Sequence, residues 1–299
     1  MAEVKGIIAA LQTPMFEDGT INEAEMRKQI NRQIAAGTDA VFCLGTNGEF
    51  YILSKEEKIR VMEIYVDEVK GRVPVYAGTG CVSTADTIEL SQKAKEIGAD
   101  ILSVITPYFA ALNQDELYAH YSELADAVDI PIVMYNIPMR AGNALAPATV
   151  GKLAKNHKNI VGIKDSSGNF NNILSYIAAT EDVPQFSVLS GNDALILYTL
   201  MAGGRGGITA IANILPEIMV SIYQNFLKGD IEGAKKAQSS IAPIRDCFKY
   251  GNPNSIVKCA TNLIGQPVGP CRKPFGMVSD DAKTAIAECI DKYYAQYKA

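Results

Sequence analysis

Residues 158–168 read KNIVGIKDSSG. The apolar run Ile160-Val161-Gly162-Ile163 ends on Lys164, whereas a strand buried on both faces ordinarily keeps its charge well outside the run. Simple alternation puts Ile160, Gly162 and Lys164 on one face and Val161, Ile163 and Asp165 on the other. Two readings of Lys164 compete. The commoner case is a lysine leaving the sheet for water or a carboxylate. The rarer one is an amine kept in an apolar pocket, where desolvation favours its neutral, nucleophilic form.

Working outward, short apolar runs of the same kind recur at Gly6–Leu11, Ala40–Leu44, Val73–Gly78, Ile101–Ile105, Ile130–Tyr135, Phe186–Leu189 and Gly207–Ile211, giving eight predicted strands with Ile160–Lys164. Amphipathic stretches such as NEAEMRKQINRQIAAG and SKEEKIRVMEIYVDEVKG lie between them, with apolar residues at helical spacing. Ser54 precedes Lys55-Glu56-Glu57 in a capping-box pattern, and Gly37, Gly71 and Gly98 read as helix stops. Eight β-α repeats without a linker-like break predict a (β/α)₈ TIM barrel over residues 1–215. The remaining residues, 216–299, read as the last barrel helix plus a helical extension, with helices at Pro216–Lys228, Ile231–Tyr250, Asn254–Ile264 and Asp280–Tyr297. An open doubly wound sheet fits less well, because no phosphate-binding turn follows the first strand.

Composition narrows the chemistry. The 299 residues are 48% hydrophobic and 20% charged, an ordinary globular balance. A formal net charge of −5 and the lack of a basic cluster argue against nucleic acid as a partner. No apolar run has membrane-spanning length and MAEVKGIIAALQTP lacks a signal-peptide layout, so no membrane association and a cytoplasmic location are expected. The six cysteines are scattered, without a CxxC pair, which fits reduced thiols. His120 and His157 are the only histidines, and neither sits in a metal-ligand or nucleophile motif. GxGxxG and P-loop patterns are absent too. Chemistry without histidine, metal or nucleotide leans on lysine, tyrosine and carboxylates.

In a barrel the reactive residues follow the strands. Here those positions are polar: Gln12-Thr13, Gly45-Thr46-Asn47-Gly48-Glu49, Thr79, Thr106-Pro107-Tyr108-Phe109, Tyr135-Asn136, Lys164 and Ser190-Gly191-Asn192-Asp193. LGTNGEF (44–50) has glycines that let backbone N–H groups converge on a carboxylate or phosphate, but it also reads as a plain βα turn with Glu49 favoured by a helix dipole. Tyr135 suits a proton carrier, and equally a half-buried aromatic whose hydroxyl has met a backbone partner. Arg140 suits a clamp on a substrate carboxylate or an exposed surface position. AGGRGG (202–207) precedes the eighth strand, at the face away from the chemistry, and reads as a turn. The aromatic pair in TPYFAALNQDELYAHY (106–121) suits a subunit contact as well as a catalytic role.

GTNGE, YNIP (135–138) and GIKDSSG (162–168), in that order, resemble the dihydrodipicolinate synthase / N-acetylneuraminate lyase family of pyruvate-dependent class I aldolases. The likeness runs from GIIAALQTPMFEDGTIN (6–22) to PVGPCRKPFG (267–276), nearly the whole chain. It implies a barrel with a helical tail, usually assembled as a tetramer of tight dimers. It also implies a Schiff base between Lys164 and pyruvate or another 2-oxo acid, without a cofactor or a metal. By the same resemblance Tyr135 relays protons and Thr46 hydrogen-bonds into that relay. The Thr46-Asn47 backbone holds the pyruvate carboxylate, Gly191 and Ile208 line the pocket, and Arg140 stands where synthases bind the aldehyde's carboxylate.

Three departures bear on the aldehyde. Dihydrodipicolinate synthases carry two threonines where this chain has Thr46-Asn47. Their second tyrosine after TPY, which crosses the dimer to complete the relay, is Phe109 here. Bulky Phe50, Tyr51 and Val82 occupy positions of the lysine-feedback site. GTNGEF and KDSSG look more like the branch acting on 2-keto-3-deoxy sugar acids, so the sequence is read as a sugar-acid aldolase. The alternatives are 4-hydroxy-tetrahydrodipicolinate synthase, N-acetylneuraminate lyase, a 2-keto-3-deoxy acid dehydratase and a non-catalytic pyruvate-binding homologue.

Overall fold

The computed structural model of the chain describes residues 3–276 and 278–298. Eight strands form one closed, all-parallel barrel: β1 (Gly6–Ala10), β2 (Ala40–Cys43), β3 (Val75–Gly78), β4 (Ile101–Ile105), β5 (Ile132–Asn136), β6 (Ile160–Asp165), β7 (Ser187–Ser190) and β8 (Gly206–Thr209). β8 closes on β1, with Gly6 opposite Gly206 and Ala9 opposite Thr209. Every strand residue is buried, which explains the unbroken apolar runs in the sequence.

Two layers of core follow from alternation. Ile8, Ala10, Phe42, Tyr76, Ile101, Val133, Val161, Leu189 and Ile208 form one cluster, and only the barrel interior is shared by the eight strands that supply them. Ile7, Ala9, Val41, Leu102, Val104, Ile132, Met134 and Ile163 face the helices instead. Each such Ile, Leu or Val contributes about 1.5–3 kcal/mol on burial.

The predicted strand ends hold to within a residue or two, with physical reasons for the shifts. Pro74 and Pro131 lack the N–H of a central strand residue, so β3 and β5 start just after them. Ile211 begins a one-turn 3₁₀ helix rather than ending β8. The capping box at Ser54 forms with Glu57, while Lys70, at φ 50°, caps that helix one residue before Gly71. The simple alternation in the opening stretch needs correcting. β6 pairs Ile132 with Ile160 and then Val133 with Gly162, so Val161 is an extra residue in a bulge. Ile160 consequently packs outward and Val161 inward. Beyond the bulge Lys164 lies opposite Tyr135, on the inner face.

Helix Pro216–Leu227 packs on β1 and on helix Glu23–Ala36, the place of an eighth barrel helix. The expected helix Ile231–Tyr250 is instead three pieces: Ile231–Ser240, Ala242–Asp246 and a 3₁₀ turn at Cys247–Tyr250. Pro243 breaks it, since its ring removes a helical N–H and clashes with the preceding turn. The last helix, Asp280–Tyr293, ends where the Tyr294 hydroxyl donates to the Ser240 carbonyl at 2.6 Å and accepts from the Ile244 N–H. Among the described residues no helix is long and apolar enough to cross a membrane.

Candidate active site

Lys164 lies one residue from the end of β6, inside the barrel mouth, and is only 4% exposed. Its Nζ lies 4.0 Å from the Tyr135 ring centroid and 5.4 Å from that of Phe42. No carboxylate comes within ion-pair distance of it among the described residues. The lysine is therefore kept inside the barrel mouth and does not leave the sheet for water or a carboxylate. Gly191 makes room: a Cβ there would stand 2.8 Å from Lys164 Cε and 2.0 Å from Ser166 Oγ, so no side chain fits. The Gly191 N–H donates to the Asp165 carbonyl at 2.7 Å, which holds the two strand ends in register.

Tyr135 stands beside the amine, and Thr46 Oγ1 lies 3.2 Å from its hydroxyl. Burial pushes the phenol up, but the nearby Lys164 charge and hydrogen bonds with Thr46, Ser166 and Lys164 outweigh it. The net direction is below the ordinary tyrosine value. A phenol so placed exchanges a proton more readily than a free tyrosine. Ser166, immediately after the lysine-aspartate pair, is a partner that the sequence did not single out.

Thr46 sits in a loop bounded by two left-handed residues that are not glycine, Leu44 at φ 60° and Glu49 at φ 56°. Each such residue costs about 1–3 kcal/mol and persists only under outside restraint. Thr13 supplies part of it, its hydroxyl donating to the Gly48 carbonyl at 2.7 Å. Asn47 is half-buried, its amide 3.4 Å from the Ala10 carbonyl. Glu49 is not the helix-dipole residue of the simple reading. It is fully buried, with Lys258 Nζ 2.6 Å from Oε1 and the Arg272 N–H donating to Oε2 at 2.9 Å.

Asp165 points away from the amine and serves as an anchor. Asn136 Nδ2 and Asn172 Nδ2 donate to its Oδ1 at 2.7 and 2.9 Å, and Ser167 Oγ to its Oδ2 at 2.6 Å. Ile208 lies in the barrel floor with Phe42 and Leu189. Asp193 is buried too. Burial raises its carboxyl above the usual carboxylate range, against the hydroxyl of Thr209, which donates to Oδ1.

Arg140 is exposed on a short helix, Pro138–Ala141, and its guanidinium makes no hydrogen bond or ion pair among the described residues. Phe109 is 98% exposed at φ 80°, whereas Tyr108 packs edge-on against Phe50 at 6.0 Å. Both histidines lie outside the mouth. His120 is buried on helix Gln114–Ala127, where burial lowers it to about 4, and His157 meets Ser122 at 2.8 Å. Of the AGGRGG stretch, residues 202–205 form the turn and Gly206-Gly207 open β8. Among the described residues no cluster of three or more metal-ligating side chains forms.

The structure thus brings Lys164, Tyr135, Thr46 and Gly191 together, with Ile208 beneath, Asn47 at the loop edge and Arg140 outside. What the sequence did not reveal is the outer support: Asn254, Lys258 and Glu49. Spacing carries no signal for partners more than 200 residues apart.

The description of the dihydrodipicolinate synthetase family matches residues 3–293. A 4-hydroxy-tetrahydrodipicolinate synthase of Methanopyrus kandleri is 40% identical over 97% of this chain and 96% of its own. Among solved structures, the Escherichia coli K12 prophage protein YagE, crystallised with pyruvate, superposes with a TM-score of 0.94 at 32% identity, over 98% of this chain and 99% of that one. A dihydrodipicolinate synthase from Aquifex aeolicus gives 0.93 at 33%, over 97% and 98%. The chain belongs to the dihydrodipicolinate synthetase family, and it is a class I, pyruvate-dependent lyase.

Proposed function

We propose that the protein is a 4-hydroxy-tetrahydrodipicolinate synthase, joining pyruvate to aspartate semialdehyde through a Schiff base on Lys164. The carrying observation is the unpaired, buried amine beside a phenol held below its ordinary range. For the aldehyde, support comes from a series of relatives with that name, at 36–40% identity over 97–98% of this chain. This prefers one of the alternatives over the sugar-acid reading of the sequence.

The chemistry follows from the positions. Lys164 Nζ attacks the keto carbon of pyruvate, and the carbonyl oxygen leaves as water carrying one proton from the amine and one from Tyr135. The iminium so formed draws electrons from C3. Tyr135, now a phenolate, takes a C3 proton to leave a neutral enamine, whose C3 attacks the aldehyde carbon while the aldehyde oxygen takes that proton back from Tyr135. The amino group of the second substrate then attacks the iminium carbon, closing the ring and displacing Lys164 as the free amine, while Tyr135 regains its proton. Thr46 shares the Tyr135 proton across the 3.2 Å contact, and the Thr46-Asn47 backbone is the seat for the pyruvate carboxylate. Arg140, with a free guanidinium at the rim, suits the carboxylate of the second substrate. No cofactor or metal enters the scheme.

A second reading keeps the same Lys164 chemistry with a hydroxylated aldehyde. Phe109 favours it, because a phenyl ring cannot pass on a proton from any partner copy. Phe109, at 98% exposure, also suits a contact between copies of this chain, in line with an assembly of dimers. Product analysis with a panel of aldehydes separates the readings. Consumption of aspartate semialdehyde far faster than glyceraldehyde supports the synthase, and the reverse order assigns the sugar-acid reaction.

A further inference from the structure

We propose that the C-terminal helix Pro253–Leu263 is a clamp on the catalytic loop, and that Asn254 is a positioning residue which sets where Thr46 meets Tyr135. The inference rests on the Schiff-base reading of the site.

Asn254 and Lys258 lie one turn apart, at i and i+4, and so share a face of this helix. Both are buried, at 3% and 2% exposure, and both grip the loop that carries Thr46. Asn254 Nδ2 donates to the Thr46 carbonyl at 2.7 Å and to the Tyr51 hydroxyl at 2.8 Å. Its second polar atom, Oδ1, has no partner among the described residues, so the amide is placed for what Nδ2 holds. Four residues on, Lys258 reaches Glu49 at the far end of the same loop and donates to the Pro270 carbonyl at 2.7 Å. Its approach to Glu49 Oε1 is close but poorly aligned for a hydrogen bond, so that contact acts as a charge pair.

The loop needs such an external hold. Leu44 and Glu49 are both left-handed without being glycine, and relaxation at either would swing Thr46. The Thr46 carbonyl also accepts from the Glu49 N–H at 3.2 Å, a bond within the loop itself; the hold from outside the loop is the shorter bond to the Asn254 amide. A helix more than 200 residues downstream therefore holds the hydroxyl that faces the reactive phenol. Because the Thr46 hydrogen bond helps to keep that phenol low, releasing the clamp lets the phenol rise.

The test uses the full-length protein with pyruvate alone, so that the aldehyde's identity is irrelevant. Exchange of the pyruvate methyl protons with deuterium is followed by NMR against pH, and adduct trapping by borohydride is run on the same samples. Asn254→Ala and Asn254→Asp both remove the donor, and Asp keeps the size of the side chain. Either variant, folded by circular dichroism, is expected to trap pyruvate yet exchange about 10-fold more slowly, its pH limb moved to higher pH. Tyr51→Phe, which removes the other Nδ2 partner and leaves the Thr46 bond, is expected to keep the wild-type limb. An unmoved limb and rate in folded Asn254→Ala or Asn254→Asp overturn the clamp. So does a limb displaced as far in Tyr51→Phe, or loss of folding in both Asn254 variants, since Asn254 is then a general packing residue. Failure of the wild type to trap pyruvate is a different result and removes the Schiff-base reading itself.

Discussion

Two lysines in this protein are equally buried and have opposite occupations. Lys258 meets a carboxylate at 2.6 Å and a backbone carbonyl at 2.7 Å, whereas Lys164 faces two aromatic rings and a glycine and no carboxylate within ion-pair distance. The difference lies in what the fold supplies around each. Lys258 sits on a helix packed across a loop that ends in Glu49, so its charge is matched and it holds structure. Lys164 lies one residue from the end of β6 at the barrel mouth, against aromatic rings and Gly191, with the Asp193 carboxyl felt only beyond ion-pair distance. An unmatched buried amine costs stability, and such costs persist where chemistry needs them.

The comparison breaks first on activity. Lys164→Met is expected to lower turnover by about 10³-fold or more, because the nucleophile is gone. Lys258→Met, measured in the same assay, keeps its nucleophile and loses far less. If the two fall equally, the lysines do not differ in the way claimed.

Stability gives the opposite order. Removing Lys258 leaves the Glu49 carboxylate buried and unmatched, which costs about 3–5 kcal/mol. Removing Lys164 strands no ion-pair partner among the described residues, so denaturant unfolding of Lys164→Met is expected to match or exceed the wild type. The pair itself is replaceable: Glu49→Leu combined with Lys258→Met is expected to recover most of the loss, to within about 1–2 kcal/mol.

The smallest expected effect is on the phenol. Lys164 is the largest influence lowering Tyr135 against burial, so in Lys164→Met burial wins and the phenol rises. The sign is fixed by the charge: a cation stabilises the phenolate, and its loss favours the protonated ring. Ultraviolet difference titration of Lys164→Met against wild type, each with a Tyr135→Phe control, reads this as a limb moved to higher pH. An unmoved limb separates the two side chains electrostatically.

Much of the fold was legible because each β-α unit repeats one pattern. A strand buried on both faces reads as a continuous apolar run, and eight such runs admit few arrangements. Lys164, Tyr135 and Thr46 were legible for a related reason: each follows such a run, at the end where barrel chemistry collects. The bulge at Val161 was not, since nothing in Ile160-Val161-Gly162 distinguishes an extra residue from plain alternation. Nor was the break at Pro243 assigned, although a proline inside a helical pattern is a recognised signal. The hold on the Thr46 loop was hidden by distance along the chain, since Thr46 and Asn254, like Glu49 and Lys258, became neighbours only through closure of the barrel and return of the tail. Glu49, read alone, looked like a helix-terminal acid.

One measurement addresses the central claim most directly. Wild type, Lys164→Met and Lys258→Met are each incubated with pyruvate, reduced with borohydride and weighed by mass spectrometry. The account requires one pyruvate-sized adduct on wild type and on folded Lys258→Met, and none on Lys164→Met. An adduct that survives in Lys164→Met, or an unmodified wild type, contradicts it and returns Lys164 to the role of a structural lysine.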